Sequence, residues 1–535
     1  MPPTSPEIKE EGKPAPRSCR ERAPMTGQFD SAAPTTEIRT RISKGASNLE
    51  ILREKLVKRA ATSNEFNEIW ESEGLPHMRK TLNDNYNGDY SITIQFNYAS
   101  SKRLVEVMTS NSLSEDVHRK VKRNVLPCFE NAPHLMVEIH FRVGTVSHNA
   151  DVTRPSHEPE DNWGSPKNPS KHSIPVCGDS VGVEGETSAA TLGPAVKLGN
   201  KRGWLVNWHL FEGIRNLETL DVGSSVPDHH LVHPAPIDCP ENESPKRIAK
   251  LHVHSGLMFR TCRQSVSLRR FATAILPDEE ATMNVVTDWA FCIANEDEWL
   301  QNRLRYAPPG IEFDEVSDPI REQFTGKPQL GIIGTTGRSS GFRYAVVCET
   351  PAEVRQMSLK PTREWYLEQI DGGPTFDWVC EGPGMPGDSG AAVVHEETQC
   401  IIGQIWGRNR YGGSETHQRI TYFTHVVDIF DDIKDICPGE RPLRLILGED
   451  GRPSHTSLGN ETSTPNAPRS TSTLDTLVRS TIGDGDSRHA TDKPTTEGPA
   501  CGMESSMDAF RRSAAKASFE DDGIMMRRSS TMIAI

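Results

Sequence analysis

The feature that most limits the fold of this chain is the spacing of its apolar residues between positions 173 and 437. Short apolar runs recur there, broken by Gly, Pro, Asp and Asn: AVKLGNKRGWLVNW, NVVTDWAFCIA, LGIIGTTG, RYAVVCE, GAAVVHE and CIIGQIWG. Runs this brief and this often punctuated are strands closed by turns rather than helices. A mostly β domain, sandwich or barrel, is the expected outcome. VKLGNKRGWLV is predicted to be a hairpin turning at Gly199-Asn200-Lys201. Residues 423–436, FTHVVDIFDDIKDI, are the helix expected to close the domain.

The flanks read differently. Residues 47–70 place Leu49, Ile51, Leu52, Leu56 and Val57 near a helical period. Tyr90–Tyr98 alternates as a half-buried strand does. A helix is expected from Ser114 to about Asn124, capped by Ser112 or Ser114, and a strand over His134–Val146. Helix, strand, helix, strand predicts a small α+β domain over 46–148, with no chemistry of its own and suited to binding another protein. Residues 149–172 are polar and Pro-rich, a linker. Only 35% of the 535 residues are apolar, and the deficit falls at the two ends. Residues 1–45 and 438–535 are therefore expected to be disordered tails.

Composition excludes several function classes. A formal net charge of −14 argues against general nucleic-acid binding, which needs a basic surface. No run of about 18 apolar residues predicts a membrane span. MPPTSPEIKEEGKPAPRSCRERAP has no apolar core or small-residue cleavage site, so the chain is read as intracellular, cytoplasmic or nuclear. The 11 cysteines lack metal-ligand spacing and are expected to be mostly buried thiols. His229, His230 and His233, like His252 and His254, lack acidic or Cys companions at ligand spacing; they read as solvated histidines, and no metal or cofactor is expected. Asn242-Glu-Ser244 and Asn460-Glu-Thr462 match glycosylation acceptors without a secretory context, and Arg527-Arg528-Ser529-Ser530 is a short basic kinase-type string.

The residues that carry chemistry begin with Gly387-Asp388-Ser389-Gly390, inside EGPGMPGDSGAAVVHE. Glycines on both sides allow a sharp turn and the close approach of a substrate carbonyl. Such a turn can aim the Gly387 and Ser389 N–H groups at one developing oxyanion. A plain surface turn has the same residue types. A serine hydroxyl needs a base. His209 ends the apolar run Gly203-Trp-Leu-Val-Asn-Trp-His209, and Asp288 is the single charge in VTDWAFCIA. A carboxylate of this kind fixes the histidine tautomer and stabilises its cation. The order His209, Asp288, Ser389, at separations of 79 and 101 residues, leaves room for two barrels of six short strands.

Residues 173–437 resemble the chymotrypsin-like serine peptidases. The matches are SAATLGPAVKLGNKRGWLVNWHLF, VTDWAFCI, GMPGDSGAAVV and Cys400-Ile-Ile-Gly-Gln-Ile-Trp406-Gly407. The resemblance implies a double six-stranded β-barrel with His209 as base, Asp288 orienting it, Ser389 as nucleophile, and Gly387 and Ser389 N–H as oxyanion hole. It implies that the Ile405-Trp406-Gly407 edge takes the peptide as an added strand. Trp208 stands where the family has a smaller residue, Pro383 rather than Asp stands six before Ser389, and no Ile-Val-Gly-Gly start is present. The expected function is serine endopeptidase, against a catalytically silent peptidase fold used for binding. An α/β-hydrolase is excluded because Gly-x-Ser-x-Gly and the order Ser, acid, His are both missing.

Overall fold

The computed structural model describes residues 34–452 apart from 99, 149–165, 213, 215–227, 257–261, 277–282, 307–314, 318, 322–327, 329, 357–359, 370–381 and 412–419. The expected tails before 34 and after 452, most of the linker, the Asn460 acceptor and the Arg527 string lie outside these residues.

The described residues open with helix α1 (Pro34–Ile69), a π-turn and helix α2 (Leu75–Asn85). Strands β1 (Tyr90–Asn97) and β2 (Lys102–Thr109) form an antiparallel hairpin. Helix α3 (Glu115–Val125) follows, its first turn capped by Ser114 Oγ accepting from Val117 N, and then β3 (Val137–His148), parallel to β2. The α3 residues Val117, Val121 and Val125 lie one turn apart and pack with Phe66, Trp70, Ile92, Ile94 and Val107. In α1, Leu52 and Leu56 are buried, whereas Ile51 and Val57 face solvent. The apolar stripe is thus narrower than the run of apolar letters.

The first half of the following domain is an eight-stranded sheet. It contains β4 (Ser180–Val183), β5 (Ala189–Thr191), β6 (Ala195–Leu198), β7 (Lys201–Val206), β8 (His230–His233), β9 (Lys246–His254) and β10 (Ala290–Ala294). Its order is Leu443–Leu445, β6, β7, β10, β9, β8, β4, β5. The chain therefore stays ordered past 437. Leu443 and Leu445 alternate as a strand must and pair with β6, which the Ser- and Thr-rich composition beyond them concealed.

The second half contains β11 (Ile332–Gly337), β12 (Gly341–Val347), β13 (Ala352–Arg355), β14 (Thr362–Gln369), β15 (Ala392–His395), β16 (Ile401–Tyr411) and β17 (Ile420–His425). Six of these strands pair in a closed cycle: β11, β12, β14, β17, β16, β15 and back to β11. The architecture is mostly β. Among the described residues no ladder closes the eight-stranded sheet in the same way. The predicted helix at 423–436 starts later, as Val426–Ile436, because Ile420–His425 is strand β17.

The segment before the domain is continuous with this ring. β1 pairs with β13, and β3 pairs with the far end of β16. Buried charges reinforce the junction. Arg59 of α1 meets Glu368 at 2.6 Å and Glu349 at 3.3 Å, Arg103 of β2 meets Glu349 at 3.0 Å, and Arg363 meets Glu71 at 2.6 Å. Among the described residues no helix is long and apolar enough to cross a membrane.

Glu364 on β14 is fully buried and accepts from Val286 N at 3.0 Å. Burial pushes its carboxyl up to about 8, with repulsion from Asp428 adding to the effect. A carboxyl whose folded value lies above its unfolded value stabilises the fold below the unfolded value. That contribution is lost as pH rises towards 8. Glu364→Gln is expected to shrink the stability lost between pH 5 and pH 8 by at least about 1.4 kcal/mol, one pKa unit's worth, in denaturant melts.

Candidate active site

β7 and β10 are antiparallel neighbours, with Ala290 opposite Val206. His209 lies just beyond the end of β7, in the 3-10 turn Trp208–Leu210, and Asp288 lies just before the start of β10. The register alone therefore brings both residues to one end of the sheet. Ser389 arrives from the other half, on the loop that enters β15. Its carbonyl accepts from Thr191 N at 2.8 Å, which ties this loop to β5.

The three side chains meet. His209 Nε2 is 2.8 Å from Ser389 Oγ, and His209 Nδ1 is 2.5 Å from Asp288 Oδ2. Asp288 Oδ1 also accepts from His209 N at 3.0 Å. Asn207 Nδ2 donates to Asp288 Oδ2 at 2.8 Å and to the Asp288 carbonyl at 3.0 Å. A carboxylate that accepts from Nδ1 holds that proton in place and leaves Nε2 to receive one from the serine. Asn207 was not singled out from sequence; its place two residues before His209 is the only signal that points to it.

The loop carrying Ser389 is fixed by the side chain of Asp388, which is fully buried. Its Oδ1 accepts from Ser339 N and Ser340 N, both at 3.0 Å, and its Oδ2 from Met385 N at 2.8 Å. Burial raises the Asp388 carboxyl above its ordinary value, and these donors oppose the rise. Two of these three backbone donors come from the β11–β12 turn and one from the loop itself. Gly387 and Gly390 sit at φ +94° and +95°, where a side chain is strained. At Gly390 a Cβ would come within 2.1 Å of the Thr191 carbonyl.

Two carbonyls of the loop are tied back. Gly387 O accepts from Thr191 Oγ1 at 2.7 Å, and Pro386 O accepts from Ser339 Oγ. A trans peptide directs its C=O and N–H to opposite sides, so the Gly387 N–H faces away from Ser339. Among the described residues neither Gly387 N nor Ser389 N has an acceptor. Behind the loop, Arg338 is buried and paired with Asp238 through two hydrogen bonds of 2.5 and 2.6 Å. Nothing in the local sequence marked Ser339, Thr191 or Arg338, because each acts from a distant part of the chain.

Trp208 packs inward with Leu192, Trp204 and Leu210 and stacks on His254, ring centroids 3.7 Å apart. His254 and His233 are buried, not solvated as expected. His233 Nδ1 donates to Ser180 O and its Nε2 accepts from His172 N, each at 2.8 Å. Burial lowers both imidazoles, His254 to about 4. Among the described residues no cluster of three or more metal-ligating side chains is present. Cys177, Cys292 and Cys348 are buried as expected. Cys128, Cys239, Cys400 and Cys437 are only half-buried and Cys262 is exposed, each being near the end of its element.

The expected peptide-binding edge is not open. Ile405 exchanges hydrogen bonds with Gly390 N and Ala391 O, at 3.0 and 2.9 Å. Trp406 is buried and stacked on Tyr422 at 5.2 Å. From Gly407 onward the edge is paired with β3 of the same chain.

No family model and no curated protein matches the chain. Solved structures do. Thermobifida fusca Protease A aligns at 10% identity over 51% of this chain and 98% of its own, with a TM-score of 0.28. Nocardiopsis protease aligns at 13% identity over 50% and 97%, also at 0.28. A glutamic acid specific serine protease that utilizes a histidine triad in substrate binding aligns at 10% identity over 51% and 100%, at 0.29. Likeness at these scores carries no weight beside the geometry of the site.

Proposed function

We propose that this chain is a serine endopeptidase of chymotrypsin-like, two-barrel architecture that hydrolyses a protein or peptide through an acyl-enzyme. His209 takes the Ser389 proton and returns it to the leaving amine. Asp288 orients the ring and stabilises its cation. Gly387 N–H and Ser389 N–H receive the oxyanion. No cofactor is required. The observation that carries this reading is the continuous chain from Asp288 through His209 to Ser389, with separations of 2.5 and 2.8 Å between groups 79 and 180 residues apart in sequence.

A catalytically silent binding fold is the second reading. Two observations favour it, the full burial of Ser389 and the pairing of the Gly407 edge by β3. Labelling with a fluorophosphonate probe separates the two. The wild-type protein is expected to label, and Ser389→Ala and His209→Ala are expected to lose the label while keeping their melting transitions. A folded wild type that stays unlabelled would leave only the binding reading.

A further inference from the structure

Two peptide groups decide where the proposed oxyanion donors point. The Gly387 N–H belongs to the Pro386–Gly387 peptide, and the Ser389 N–H to the Asp388–Ser389 peptide. In a trans peptide the C=O and N–H lie on opposite sides, so whatever holds the carbonyl also aims the N–H. The Asp388 carbonyl accepts from Ala391 N at 3.0 Å. That donor is backbone and does not depend on residue type. The Pro386 carbonyl accepts from Ser339 Oγ, a side chain of the β11–β12 turn 47 residues away in sequence. One N–H is therefore aimed by backbone, and the other by a single hydroxyl.

The Pro386–Gly387 peptide is the one that needs a latch. Gly387 sits at φ +94° and has no side chain to resist rotation. Glycine adopts positive and negative φ about equally readily, so this peptide turns over at little local cost. The rest of the loop is secured separately. The Gly387 carbonyl accepts from Thr191 Oγ1 at 2.7 Å, and the Ser389 carbonyl from Thr191 N at 2.8 Å. Asp388 N donates to Met385 O at 2.9 Å. A rotation confined to ψ of Pro386 and φ of Gly387 leaves those bonds in place and breaks the one to Ser339.

The surroundings of Ser339 suit it to this task. Its own N–H donates to Asp388 Oδ1 at 3.0 Å, so the turn is already anchored to the loop. Arg338 Nη1 donates to Ser339 Oγ at 3.4 Å, which leaves the hydroxyl hydrogen for Pro386. Arg338 is held in turn by Asp238, at 2.5 and 2.6 Å. A Cβ placed on Gly387 would lie 2.5 Å from Ser339 Oγ and 2.6 Å from Arg338 Nη1. The turn therefore packs directly against the back of Gly387.

We propose that Ser339 is a positioning residue whose hydroxyl holds the Pro386–Gly387 peptide in the orientation that offers the Gly387 N–H to the oxyanion. This rests on the reading given under Proposed function. Without the hydroxyl, Asp388 keeps its backbone donors and Ser389 keeps His209. Only one oxyanion donor loses its aim. The loss falls where charge develops on the attacked group, not where the ligand binds.

The test follows fluorophosphonate labelling of the full chain, in which Ser389 Oγ bonds to phosphorus, fluoride leaves, and His209 takes the serine proton. The maximum labelling rate and the half-saturating probe concentration are measured for wild type, Ser339→Ala and Ser339→Thr, beside melting curves. Ser339→Ala is expected to lower the maximum rate by about 10- to 10²-fold, the upper end being the loss of one oxyanion donor. Half-saturation and melting are expected to stay as in wild type. Ser339→Thr keeps a hydroxyl and is expected to restore the rate. A wild-type rate in Ser339→Ala would overturn the proposal and leave the peptidase reading standing. So would equal losses in Ser339→Ala and Ser339→Thr, or a loss that appears in half-saturation and melting instead of the maximum rate. A folded wild type that does not label removes both readings.

Discussion

Asp288→Asn is expected to lower the rate of peptide-bond hydrolysis by about 10⁴ while the fold survives. The volume is unchanged, so the effect is one of proton placement. Asp288 Oδ2 now accepts from both Asn207 Nδ2 and His209 Nδ1, and Oδ1 accepts from His209 N. An amide has one accepting oxygen. Whichever way it is turned, one set of these donors faces an NH₂ group. If that group faces His209, the ring moves its proton to Nε2, where it can no longer take one from Ser389. Steady-state rates on a peptide substrate, beside melting curves for both proteins, check this. A loss below tenfold would remove Asp288 from the mechanism.

The largest expected loss of stability is at Glu349. Its carboxylate is fully buried and accepts from Arg103 Nε at 3.0 Å, Arg103 Nη2 at 3.1 Å, Arg59 Nη2 at 3.3 Å and Ser63 Oγ at 2.7 Å. Burial alone would raise its pKa, but Arg59 and Arg103 hold it below the ordinary value. Glu349→Ala strands a buried Arg103 and leaves Arg59 with Glu368 alone. The expected cost is about 3–5 kcal/mol, a large part of what holds most domains folded. Urea melts measure it. Adding Arg103→Ala should recover part of the loss, because the stranded charge is then gone.

What the sequence disclosed follows from range. The strand-rich region, the hairpin around Gly199, the Ser114 cap and the three site residues could all be read from local letters, because turn glycines, a capping serine and a Gly-Asp-Ser-Gly loop have local causes. β2 was missed although Leu104, Val105 and Val107 lie within it, since Lys102, Arg103 and Glu106 break up the run. α2 and the helix Val266–Ile275 were missed as well; both are short, and α2 has no side-chain cap. The ladders β1–β13 and β3–β16 were beyond reach for another reason. They join residues more than 250 positions apart, and nothing in the letters of β3 names β16 as its neighbour. The donors to Asp388 were hidden in the same way, because backbone N–H groups have no residue type.

The lock on Asp388 also sets when the site can first exist during synthesis. Ser339 and Ser340 are reached only when the β11–β12 turn and the nucleophile loop, 48 and 49 residues later, have been brought side by side. β16 and β17, which complete the ring of strands around them, emerge from the ribosome later still. A nascent chain that has exposed His209 and Asp288, and even Ser389, therefore has the Ser389 loop still unlocked. On the peptidase reading, hydrolytic competence would be the last property this domain acquires.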